Sequence, residues 1–126
     1  MSKIEDKYQE LLNIPSDCNE HFPLIRSAVE KGDNVVELGV RNIVSSWALL
    51  ANEPAALLSV DVIVPPEENL AEIAKAAEDA GIQYRFFQND SIYAVFNPFD
   101  VLFVDTLHLY SHIVKELWRH AENVNK

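Results

Sequence analysis

Ile4, Tyr8, Leu11 and Leu12 recur at helical spacing, the apolar stripe of a short amphipathic helix that Pro15 closes. A second stripe, Phe22, Ile25 and Val29, predicts a helix from about Asn19 to Lys31, with Gly32 placed where a left-handed cap belongs. From Asn34 the period changes. Asn34–Val40 and Ala56–Val64 are short, nearly continuous apolar runs, the pattern of strands buried on both faces, and Val44–Ala51 between them reads as a helix. Pro65 and Pro66 stop the second strand. Glu67–Ala80 follows as a helix with Leu70, Ile73, Ala74 and Ala77 inward, capped by Gly81. Gln83–Gln88 predicts a third strand and Asp100–Asp105 a fourth. Tyr110–Val124 predicts a closing helix with Tyr110, Ile113, Leu117, Ala121 and Val124 on its inner face.

Strands alternating with helices imply parallel pairing through right-handed crossovers. The expected fold is therefore α/β: a Rossmann-like, three-layer αβα domain with a parallel sheet of about four strands in the order 3-2-1-4. Residues 1–126 form one domain, with two N-terminal helices over 1–32 and the alternating core over 34–126. Composition narrows the function. Twenty acids against ten bases give a net charge of −10, which argues against nucleic acid as partner, because phosphate contacts need clustered Lys and Arg. No apolar run is long enough to span a bilayer, so no membrane partner is expected. A single cysteine, Cys18, excludes an internal disulfide and points to the cytoplasm.

In an open α/β sheet, ligands bind at the carboxyl ends of the strands. Those ends carry Glu37 and Gly39, then Asp61, then Asn89, Asp90 and Ser91, then Asp105. Asp61 follows Gly39 by 22 positions, near the spacing at which an acid after the second strand meets ribose hydroxyls. Against this stands the plain reading of each acid as a helix cap or loop residue. Trp47 and Trp118, on predicted helices, read as core or interface anchors. No G-x-S-x-G elbow or G-x-G-x-x-G fingerprint occurs, which disfavours serine hydrolysis and nicotinamide dinucleotide binding.

The segments V-V-E-L-G-V-R-N-I-V-S-S-W-A-L-L (35–50), L-L-S-V-D-V (57–62), F-F-Q-N-D-S (86–91) and F-D-V-L-F-V-D-T-L-H-L-Y (99–110) together resemble class I S-adenosylmethionine-dependent methyltransferases. The branch most resembled is the one near cephalosporin hydroxylases and small-molecule O-methyltransferases. The resemblance implies S-adenosylmethionine as cofactor. It places Glu37 and Gly39 at the cofactor's methionine end, Ser45 and Ser46 at the helix start beside it, Asp61 on the ribose, and Asn89, Asp90 and Ser91 by the adenine. Asp105 would face a small-molecule substrate and, as in metal-dependent relatives, help hold Mg²⁺. His108 is the candidate general base.

The chain also departs from that pattern. A second loop glycine is replaced by Asn42 and Ile43, Leu107 stands where metal-dependent relatives carry a further carboxylate, and four strands are found where the family has about seven. The fourth strand is then an open edge, which predicts a homodimer or higher oligomer, or else a chain that is the N-terminal part of a longer enzyme. The alternative function is a catalytically silent α/β module that keeps the fold and serves binding or assembly.

Overall fold

The structure, a computed structural model, describes residues 3–15, 19–40, 43–89 and 99–104. Four strands, β1 (Asn34–Leu38), β2 (Ala56–Asp61), β3 (Gln83–Gln88) and β4 (Val101–Val104), form one parallel sheet in the order β3-β2-β1-β4. This is the predicted order, and the architecture is the Rossmann-like α/β arrangement. The predicted closing helix lies outside the described residues, as do Cys18 and Trp118.

Among the described residues the α-helices are α1 (Lys3–Leu12), α2 (Phe22–Ser27), α3 (Ser45–Leu50) and α4 (Glu67–Asp79). Strand alternation sends Val35, Leu57, Tyr84, Phe86, Val101 and Phe103 to the sheet face that packs with all four helices. Val36, Leu38, Val60 and Phe99 form a second cluster, joined by Leu58, Leu102 and Val104. Trp47 is 1 % exposed and belongs to the helical side of the core, as its place on a helix predicted.

Two boundaries and one helix face differ from expectation, each for a local reason. The second helix stops at Ser27 instead of reaching Lys31. The Arg26 carbonyl that a continuing helix would use accepts from Asn52 Nδ2 at 2.8 Å, and the Glu30 N–H donates to Asp33 Oδ2 at 2.9 Å. The second strand stops at Asp61 because the Asp61 carboxylate turns the chain, its Oδ1 accepting from the Ile63 N–H at 3.3 Å. Along α4 Leu70, Ile73 and Ala77 face the core as expected, joined by Ala76, while Ala74 is exposed. The helix is rotated so that the i, i+3, i+4 set starting at Ile73 meets the core.

A surface network joins the helices. Arg26 reaches both carboxylate oxygens of Glu5 at 2.9 and 3.1 Å, donates to Asn52 Oδ1 at 3.0 Å and lies 4.7 Å over the Tyr8 ring. Tyr8 in turn stacks on Phe22 with centroids 5.5 Å apart. Lys3 and Lys7 both pair with Glu72, which ties α1 to α4.

Candidate site at the strand carboxyl ends

The segment after β1 carries the polar residues singled out above. Gly39 continues the sheet, donating its N–H to the Val60 carbonyl at 2.8 Å, and then turns with φ +90°, a left-handed conformation that a Cβ would oppose. Val40 donates its N–H to Asp61 Oδ2 at 2.8 Å. Asp61, half-buried, therefore holds the start of the β1–α3 loop from the end of the neighbouring strand. Asn89, exposed, donates its N–H to the Asp61 carbonyl at 3.0 Å and brings the end of β3 to the same rim.

Ile43 has φ +63°, left-handed although β-branched. This is a costly conformation for such a residue. Its side chain is 4 % exposed and packs in the helical core cluster, so it points away from the rim. The backbone thus keeps a glycine-like bend at a position where the sequence pattern lacks the glycine.

Glu37, Ser45 and Ser46 lie together, below the rim. Glu37 is fully buried at 0 % exposure, on the sheet face beneath α3. Its Oε2 accepts from Ser45 Oγ at 2.7 Å, and its Oε1 accepts from Ser46 Oγ at 2.6 Å and Ser59 Oγ at 2.8 Å. A carboxylate can be buried where such donors converge on it. Ser59 was not among the predicted site residues. Its signal was a lone hydroxyl in the apolar run A-L-L-S-V-D, directly opposite Glu37 in the strand register.

Tyr84, diagonal to Ser59 on β3, puts its hydroxyl beside this cluster, buried and without a hydrogen-bond partner. Burial pushes its pKa up to about 12; the nearby Ser59 hydroxyl opposes that rise and the charge of Glu37 adds to it.

The structure brings Glu37, Ser45 and Ser46 into one buried cluster, and Gly39, Asp61 and Asn89 to one rim. Asp90, Ser91, Asp105 and His108 lie outside the described residues, as do Asn42 and Leu107. Among the described residues no group of three His, Cys, Asp or Glu side chains could hold a metal ion, and no helix is long and apolar enough to cross a membrane.

No protein-family model and no curated protein sequence matches the chain. Solved structures do. A candidate rRNA methylase from Clostridium thermocellum superposes with a TM-score of 0.61 at 13% identity, over 89% of this chain and 65% of that one. An rRNA methylase from Streptococcus thermophilus gives 0.59 at 15% identity, over 89% and 67%. A candidate RNA methyltransferase from Pyrococcus horikoshii gives 0.59 at 15%, over 94% and 69%. The chain therefore has the Rossmann-like fold found in these methyltransferases, and it spans about two thirds of their length.

Proposed function

We propose that this chain is an S-adenosylmethionine-dependent methyltransferase domain, or the N-terminal part of one, acting on a small molecule. The observation that carries the reading is the junction of β1 and β2: a left-handed Gly39, and a half-buried Asp61 whose carboxylate binds the loop at Val40. The shared fold supports it. So does the rim's chemistry, which suits the nucleoside half of the cofactor. Asp61 would receive the ribose hydroxyls, and Asn89 would lie toward the base. Val62 and Ile63, exposed just after Asp61, would supply an apolar wall. Glu37, Ser45 and Ser46 are buried and bonded to one another, so in this reading they shape the loop from beneath rather than touch the cofactor.

The cofactor supplies an activated methyl group for in-line transfer. The chain's part is to hold the acceptor in line and exclude water. Asp105 would orient the acceptor and His108 would take its proton near neutral pH. Although the structural neighbours named above are RNA or rRNA methylases by description, a net charge of −10 repels a polyanion, which favours a small acceptor.

Calorimetric titration with S-adenosylhomocysteine tests the reading. Binding is expected, and Asp61→Ala should weaken it by about tenfold or more, since hydrogen bonds to a charged group are lost. No heat of binding up to millimolar ligand would remove the proposal. It would then favour the silent module, whose oligomeric state should ignore the cofactor.

A further inference from the structure

We infer that Ser59 is a positioning residue for the β1–α3 loop, acting through Glu37. The inference rests on the reading of that loop as part of a cofactor site. One carboxylate joins three segments: Glu37 belongs to β1, Ser59 to β2, and Ser45 with Ser46 to the first turn of α3. The loop leaves β1 just after Glu37 and ends at Ser45, so a single side chain ties both of its ends. Ser59 shares Oε1 with Ser46, at 2.8 and 2.6 Å, and fixes that oxygen relative to β2.

Two residues further along β2, Asp61 takes the Val40 N–H at 2.8 Å. Ser59 and Asp61, at alternate positions and so on the same face of one strand, thus restrain the loop from beneath and at its rim. A buried charge is a poor choice for stability alone, because an apolar packing of similar volume commonly does as well or better. What the arrangement supplies is geometry: Glu37 can satisfy the three hydroxyls together only when β1, β2 and α3 hold one relative placement.

The test compares Ser59→Ala with Ile73→Val, a core change on α4, an element to which none of these residues belongs. Thermal unfolding first matches the two variants for lost stability. Amide hydrogen exchange at Gly39 and Val40, measured without ligand, should be roughly tenfold faster in Ser59→Ala than in the matched control, because the opening is local. Ser59→Thr, which keeps the hydroxyl, should restore it. Affinity for S-adenosylhomocysteine should follow the same order.

Equal exchange at Gly39 and Val40 in Ser59→Ala and Ile73→Val would overturn the inference. Should Ser59→Ala fail to fold, Ser46→Ala removes the other donor to the same oxygen and decides in the same way. If the unmodified protein takes up no S-adenosylhomocysteine, the methyltransferase reading falls by itself. The ligand-free exchange then still decides whether Ser59 positions the loop.

Discussion

Two carboxylates in this chain are held in opposite ways. Glu5 sits at the surface, where the Arg26 guanidinium grips both of its oxygens and holds its carboxyl below the usual carboxylate range. Glu37 sits in the interior, held by hydroxyls from Ser45, Ser46 and Ser59. The first arrangement tolerates water and fastens α1 to α2. It can loosen by a few tenths of an ångström at little cost, because solvent replaces what is lost. The second has no such reserve, since each donor must sit where the carboxylate is. The difference separates a fastening from a gauge, and the gauge lies beneath the loop that the cofactor reading depends on.

The largest effect should come from removing the interior member. Glu37→Ala leaves three buried hydroxyls and a cavity, and should cost about 3–5 kcal/mol in urea unfolding. Glu5→Ala, by contrast, should cost below about 1 kcal/mol, because its pair with Arg26 is partly exposed and screened. Added salt should shrink the Glu5 effect and leave the Glu37 effect almost unchanged. If the two substitutions cost the same, the distinction between the two carboxylates is wrong.

The next effect sharpens what the loop above Glu37 tolerates. Ile43 combines a left-handed backbone with a buried side chain, so two opposed terms meet in one residue. Ile43→Ala should lose about 2–4 kcal/mol of packing and keep the backbone strain. Ile43→Gly loses the same side chain but regains about 1–2 kcal/mol by relaxing the left-handed strain. Glycine should therefore match or exceed alanine at this position, against its usual deficit of about 0.5–1 kcal/mol. Chemical unfolding of the two variants decides. A glycine variant clearly below alanine would mean that the loop does not require the left-handed bend.

Ile43 also marks how far the sequence could be read. The strand order, the helices between β1 and β2 and between β2 and β3, and the rim position of Asp61 follow from apolar runs, prolines and glycines, all of which act locally. The direction of Ile43 does not. From the sequence, a branched residue in place of a glycine reads as an obstacle to a ligand, but the core on its other side turns it inward. Likewise, Glu37, Ser45 and Ser46 could be named as neighbours, yet facing ligand and facing inward look alike along the chain. What separates them is Ser59, placed opposite Glu37 only by the β1–β2 register. The early end of α2 has the same origin, because Asn52 reaches the Arg26 carbonyl from 26 residues away.

The smallest effect probes the outer margin of the Glu37 cluster. The Tyr84 hydroxyl is buried beside it without a partner, so removing it should help rather than harm. Tyr84→Phe should gain about 1 kcal/mol, since a buried unsatisfied hydroxyl carries a desolvation penalty and the ring stays. The alkaline limb of stability supplies an independent check. Folding raises the Tyr84 pKa from 10 to about 12, so the folded state holds this proton more firmly than the unfolded chain does. That contribution is complete below pH 10 and is lost as the pH rises through 12, where both states have ionised. Stability attributable to Tyr84 should therefore decline between those limits in the unmodified protein, and the decline should be missing from Tyr84→Phe. Were Tyr84→Phe less stable at neutral pH, the hydroxyl would have to be donating to the cluster, and Glu37 would gain a contact from the third strand.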